Sequence, residues 1–161
     1  MRIGLMADSH ENMPMIKRAV DLFNRECAGL VLHAGDIISP ITAKEFARLE
    51  MRMIAVFGNN DGDRPFLEKR FAPFADIHPG AWGFEAGGRR MLLMHAPDAL
   101  EAIEASGAYD AIVYGHTHEA VVRRTGRTLV VNPGECGGWI TGRSTVALLE
   151  TGTMEAEIRT L

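Results

Sequence analysis

The sequence predicts an α/β fold, a two-sheet sandwich forming one domain over residues 1–161. Three observations carry that expectation. The first third alternates short apolar runs with amphipathic segments, the pattern of βαβ units and a parallel sheet. After residue 74, strand-like runs follow one another, separated by turn signals such as Thr125-Gly126 and Thr151-Gly152. At 161 residues, 47% of them hydrophobic, the chain can bury a core without disulfides.

The elements follow in order. Arg2–Ala7 (RIGLMA) is a short apolar run that reads as a buried strand. Asn12 then caps a helix whose first turn tolerates Pro14. Met13, Ile16, Ala19, Val20, Phe23 and Cys27 recur at three- and four-residue spacing, so they form one apolar face, with Cys27 packing as a small hydrophobe. Gly29 is the stop signal. Leu30–His33 reads as the second strand, Pro40–Leu49 as the second helix and Met51–Phe57 as the third strand. The resulting βαβαβ order requires right-handed crossovers. Farther on, Arg90–His95, Ala111–Gly115, Ala120–Arg124, Thr128–Asn132, Ser144–Glu150 and Met154–Leu161 read as strands, and Asp98–Ser106 as a helix. His78, before Pro79-Gly80, reads as a surface-loop residue, and Phe66, Phe71 and Phe74 as cover for the core. Trp82 and Trp139 lie near no recognisable motif.

Composition narrows the function classes. A net charge of −4 with scattered Lys and Arg argues against a phosphate-neutralising stripe, hence against a nucleic-acid partner. Two distant cysteines, Cys27 and Cys136, make no CxxC pair. The start MRIGLMADSH lacks the three regions of a signal peptide, and no apolar run approaches the roughly 18 residues of a membrane span. A cytoplasmic protein is expected.

Polar residues stand just beyond the apolar runs. Asp8 and His10 follow the first run, Asp36 the second (HAGD) and Asn59 the third (GNND). Later runs lead to His95 (LLMHA) and to His116 with His118 (YGHTH). Ligands of open α/β sheets bind outside the carboxyl ends of strands, so these seven N or O donors have a structural reason to converge. Taken singly each has a bland reading: Asp-x-His as a helix cap, Gly35-Asp36 and Gly58-Asn59 as turns, His95 as a core histidine. Together they form the donor set of a two-metal site for first-row metals, not a thiolate site or an all-oxygen calcium cage.

The ordered blocks Asp8-x-His10, Gly35-Asp36, Gly58-Asn59-x-Asp61, His95 and Gly115-His116-x-His118 resemble the calcineurin-like metallophosphoesterase superfamily. The start IGLMADSHENMPMIKRAVDLFN and the short length resemble its small bacterial and archaeal phosphodiesterase branch, and Asn132-Pro133-Gly134 resembles a turn found there. The resemblance implies a four-layer α/β/β/α sandwich, with two mixed β-sheets flanked by helices. It also implies two divalent metal ions, manganese first, with nickel, iron, zinc or cobalt as alternatives. One metal would sit on Asp8, His10, Asp36 and His118, the other on Asp36, Asn59, His95 and His116, with Asp36 bridging and Thr117 a spacer. Such a pair shares a water, lowers its pKa towards neutrality and directs the hydroxide at phosphorus. Asp36, Asn59, Asn60 and His95 are the residues expected to touch the reaction. The implied activity is a metal-dependent phosphodiesterase acting on a small phosphoester, and the implied assembly is a homodimer or a larger oligomer.

Two departures from the family pattern bear on chemistry. Asn60 stands where many members have a histidine; it can donate a hydrogen bond but cannot transfer a proton at neutral pH. His95-Ala96-Pro97 replaces a His-Gly-x-His pattern. Asp61 is expected to orient Asn59 or a metal-bound water, and His33 either orients Asp36 or packs. The alternative function is a non-enzymatic scaffold on the same fold, like the eukaryotic retromer subunit, but scaffolds have no use for all seven donors.

Overall fold

The computed structural model describes residues 1–161 as two facing sheets between helices. Its strands are β1 (Arg2–Met6), β2 (Leu30–His33), β3 (Met53–Val56), β4 (Ala75–His78), β5 (Trp82–Ala86) and β6 (Arg89–Leu93), then β7 (Ala111–Val113), β8 (Val121–Thr125), β9 (Thr128–Asn132), β10 (Thr145–Glu150) and β11 (Glu155–Thr160). The helices are α1 (Met13–Arg25), α2 (Ala43–Phe46), α3 (Arg64–Phe71) and α4 (Leu100–Ser106). The first sheet runs β11-β10-β1-β2-β3-β4 and the second β5-β6-β7-β9-β8. Each has a parallel centre, β1-β2-β3-β4 in one and β6-β7-β9 in the other, with antiparallel strands added outside.

Side-chain alternation along the strands makes the four layers. Ile3, Leu5 and Ala7 turn one way from β1 and meet Met91, Leu93, Val113 and Val131 of the second sheet in a core between the sheets. Met6 turns the other way, with Val31 and Met53, onto Ile16, Val20 and Phe23 of α1. Leu92, Met94, Ile112 and Val130 face outward from the second sheet, under Leu100 and Ile103 of α4. A sheet face must be covered to be stable, and helices cover both outer faces here. Gly4 is needed because a Cβ there would overlap the Phe23 ring.

Several local expectations change. Asn12 does cap α1, its side chain accepting from Met15 N, and Pro14 lies in the first turn. Yet α1 ends at Arg25, four residues before Gly29, and Cys27 takes the left-handed conformation (φ 53°) and is exposed instead of packed. The Pro40–Leu49 helix is shorter: a 3-10 turn over Pro40–Thr42 leads into α2, which stops at Phe46. Three elements were not expected at all: α3, β4 and β5. His78 is the last residue of β4, stacked on Trp82 at 3.8 Å between ring centroids, not a loop residue. Phe71 is buried and Phe74 packs on the core, but Phe66 is 46% exposed on the outer side of α3.

Candidate metal centre

The carboxyl ends of β1, β2, β3, β6 and β7 open onto one edge of the sandwich, and the loops beyond them bring all seven expected donors together. Backbone conformation at this edge is unusual. Asp8, His10, Asp36, His116 and His118 all have positive φ, between 41° and 68°. Asp and His tolerate this region better than most residues, but it still costs on the order of 1 kcal/mol each, and such residues persist where surrounding contacts hold them. Those contacts are visible. Asp8 N donates to Gly35 O at 3.0 Å and His10 N to Asp36 O at 3.1 Å, locking the first loop to the second. Asp61 accepts from Gly58 N (2.7 Å), Asp36 N (3.1 Å) and Ile38 N (2.6 Å), locking the second to the third. Its carboxylate therefore acts on backbone, and of the two expected roles, orienting the Asn59 side chain is not the one its hydrogen bonds show.

The donors fall into two groups. Ligand atoms of Asp8, His10 and His118 all lie within 4.8 Å of one another, as do those of Asp8, Asp36 and His95. Asp36 points one oxygen at each group: Oδ2 is 3.7 Å from His10 Nε2, and Oδ1 is 3.6 Å from His95 Nε2. Asp8, only 3.6 Å from His118 Nε2, borders both groups as well. Asn59 Oδ1 lies 2.8 Å from His95 Nε2 and 2.9 Å from His116 Nδ1, adding two more donors on the His95 side. Asn60 lies at the exposed mouth, its backbone N–H donating to Asp36 Oδ1 (2.9 Å) and its amide to Oδ2 (2.7 Å).

The electrostatics of this edge favour a cation. Burial, and then the charge of Asp36, push Asp8 up to about 8, because two carboxylates share a buried space. Burial lowers His10, with Asp36 opposing, so the imidazole is held towards its neutral, metal-binding form. His95 donates from Nδ1 to Ala34 O at 2.8 Å, which turns Nε2 towards Asp36 Oδ1 at 3.6 Å and Asn59 Oδ1 at 2.8 Å. Acceptors turned on acceptors need a proton or a metal between them. An imidazole fixed by a backbone carbonyl is the usual second partner of a metal-bound histidine. The N and O donors fit divalent first-row metals.

Several residues near the site were missed or misread. Glu135 is buried, and its carboxylate lies 3.5 Å from His118 Nδ1, a buried nitrogen without any hydrogen-bond partner. Glu135 accepts from the N–H groups of Trp139, Ile140 and Thr141 and from the Thr141 hydroxyl. Burial pushes its carboxyl up, but those hydrogen bonds and His118 outweigh this and hold it below the ordinary range. The Asn132-Pro133-Gly134 turn marked the neighbourhood, yet nothing in the pattern singled out Glu135. Trp139 belongs to the same loop and donates from Nε1 to His10 O at 3.1 Å. Thr117 is more than a spacer, since its hydroxyl accepts from Asn132 Nδ2 at 3.0 Å. His33 is fully buried, with Ser9 Oγ at 3.0 Å from Nε2, Nδ1 accepting from Gly35 N, and Phe46 against its ring; it makes no hydrogen bond to Asp36.

The sequence model described as the calcineurin-like phosphoesterase superfamily domain matches residues 1–154. The chain belongs to that superfamily. Within it, the chain is 38% identical over 159 residues to Phosphodiesterase MJ0936 of Methanocaldococcus jannaschii, covering 96% of each. The solved structure of an archaeal phosphodiesterase superposes with a TM-score of 0.95 at 37% identity, over 100% of both chains. A mutant of Vps29 from Entamoeba histolytica superposes at 0.72 over 100% of this chain and 99% of that one, but at 18% identity, so that likeness concerns the fold alone. Calcineurin-like phosphoesterases work with divalent metals, and the buried Asp and His groups of this chain can hold such ions. No helix is long and apolar enough to cross a membrane.

Proposed function

We propose that the chain is a metal-dependent phosphodiesterase acting on a small phosphoester, with Asp8, His10, Asp36 and His118 holding one divalent cation. Asp36, Asn59, His95 and His116 hold the second. The observation that carries this reading is Asp36, which turns one carboxylate oxygen to each imidazole group across a space lined by acceptors. The 38% identity to an archaeal phosphodiesterase over nearly the whole chain supports the diester preference. Manganese is our choice of metal, with nickel, iron, zinc or cobalt able to serve, because the donors are nitrogen and oxygen with no thiolate. We also infer one domain throughout, a cytoplasmic setting, a homodimer and no nucleic-acid partner; the net charge of −4 supports the last point.

Divalent cations bound there supply positive charge that acidifies a water and neutralises phosphate oxygens. The protein's own groups do the rest. Ala34 O fixes the ring of His95, and Asp61 fixes the backbones that carry Asp36 and Asn59. Asn60 reaches the mouth as a hydrogen-bond donor but carries no proton to give a leaving group, so esters of acidic alcohols are favoured. No side chain is placed to act as the nucleophile. Ser9 is fully buried against His33, and burial pushes the Cys136 thiol up to about 12.

Hydrolysis of bis-(p-nitrophenyl) phosphate by metal-stripped protein, titrated with Mn²⁺ alongside p-nitrophenyl phosphate, tests the reading. Saturable, metal-dependent cleavage of the diester with little cleavage of the monoester is expected. Asp36→Asn should lose both metals, so the bound metal per chain, measured by atomic emission, should fall from about two towards zero. Folded protein that turns over neither ester with any first-row metal would instead be a scaffold.

A further inference from the structure

A cleft of about 440 Å³ opens directly beside the donor atoms of Asn59, His95 and His116. Its floor is apolar, formed by the buried side chains of Phe57 and Met94, and its rim carries Ala81 and Ile103. Two charged residues line it, Arg64 and Asp98. We propose that this cleft seats one ester substituent of the substrate, and that this substituent is a flat, uncharged aromatic group. The inference rests on the phosphodiesterase reading above, and it adds the chemical class of what is attached to phosphorus.

Four features select that class. The volume falls in the range of small-molecule sites, whereas benzene needs only roughly 150 Å³, so one or two fused rings fit. The apolar floor rewards burial of a hydrocarbon surface. Arg64 adds specificity for a ring. Its guanidinium carbon lies 4.9 Å from the centroid of Phe57. Nη2 donates to Gly58 O at 3.0 Å and Nε to Asp61 O at 3.3 Å, so the cation is already positioned at the wall. A guanidinium held at an apolar wall attracts an aromatic face and offers little to an aliphatic chain of equal size. Finally, Arg64 and Asp98 cancel in charge, which gives no preference for an ionic substituent.

Phosphonates test this without requiring turnover. Binding of phenylphosphonate, cyclohexylphosphonate and ethylphosphonate to Mn²⁺-loaded protein is measured by calorimetry, with hydrolysis of bis-(p-nitrophenyl) phosphate assayed on the same sample. Phenylphosphonate is expected to bind about tenfold more tightly than either other ligand. In Arg64→Ala, and in Ala81→Trp, which fills the rim, the phenyl advantage should collapse to nearly onefold. Metal content is checked in both variants. Equal binding of phenyl and cyclohexyl would overturn the aromatic assignment, and equal binding of all three, or of none, would overturn the cleft as a substituent site. A phenyl preference without turnover would uphold the cleft and sink the hydrolase reading. Turnover without the preference would do the reverse.

Discussion

At the scale of single residues, the chemistry depends on side chains that never meet the substrate. Glu135 is the clearest. It places a full negative charge 3.5 Å from the outer nitrogen of His118, and four donors hold it there. Such a partner raises the basicity of a metal-binding imidazole, and losing it typically costs about 10- to 100-fold in metal affinity. Glu135→Gln keeps the volume, removes the charge and turns an NH₂ towards backbone N–H groups. Mn²⁺ affinity, measured by competition with a chelating dye, should fall by about that factor; a folded variant with unchanged affinity would remove Glu135 from the site. His33 makes a second prediction, on stability. Burial lowers it to about 3 in the folded protein, against about 6.5 in the unfolded chain. Between those values the unfolded chain takes up a proton that the folded one refuses, so stability is lost as pH falls, by at most about 1.4 kcal/mol per pH unit. Asp8 acts in the opposite sense: raised to about 8, it contributes stability at low pH that is lost as pH rises. Comparing metal-free wild type with His33→Gln cancels the Asp8 contribution. The stability advantage of wild type, from urea titrations, should shrink between pH 6.5 and 4.5, and a constant gap would show that His33 protonates freely in the fold.

At the scale of elements, legibility follows burial in the sheet centres and turn signals at the edges. The edge strands β8 and β11 are little buried but are marked by Thr125-Gly126 and Thr151-Gly152. β1, β2, β9 and β10 are almost wholly buried, so they appear in the sequence as unbroken apolar runs with boundaries correct to within one or two residues. β4 (ADIH) and β5 (WGFEA) lie at sheet edges with only Ala75 buried, and their polar residues and glycine hide them. α3 was invisible for a related reason: only Leu67 and Phe71 are buried along RPFLEKRF, too few to make a periodic face. The early end of α1 was equally hidden, since Cys27 takes the left-handed turn that was expected of a glycine. The turns after the strands are the elements on which the site depends, and Gly58 shows how closely they pack. A Cβ there would overlap the Asp36 carboxylate, whereas one at Gly62, in the same loop, meets nothing within 4 Å. Gly58→Ala should therefore cost about 1–3 kcal/mol, as overpacking does, and lower the bound metal per chain. Gly62→Ala should leave the melting temperature and metal content within error of wild type. Equal behaviour of the two variants would show that the third loop gives way more easily than its packing implies.

At the scale of the whole molecule, the candidate centre joins two sheets that no strand connects. Asp8, His10, Asp36 and Asn59 follow strands of the first sheet, whereas His95, His116 and His118 follow strands of the second. The sequence alone placed each residue at a strand end, but strand order does not say which ends of two stacked sheets share an edge. The rule that ligands bind beyond the carboxyl ends of strands gives the seven donors a reason to converge, and the resemblance to a known family divides them between two metals. The structure gives that convergence a physical basis in Gly115, where a Cβ would press on Ala7 and Asp8 of the first sheet, and in His95 Nδ1, which donates across to Ala34 O at 2.8 Å. Metals held by donors from both sheets would act as cross-links present only in the folded state, and ligands that bind only the folded state stabilise it by mass action. At a free Mn²⁺ concentration about 100 times the dissociation constant, each site adds about 2.7 kcal/mol. For a chain of this size that corresponds to a rise in melting temperature on the order of 5–10 °C per site. Scanning calorimetry of stripped and Mn²⁺-loaded protein should show that rise in wild type and almost none in Asp36→Asn. If Mn²⁺ saturates the wild type with no change in melting temperature, the ion sits on the unfolded chain as readily as on the folded one, and the two sheets are not joined through it.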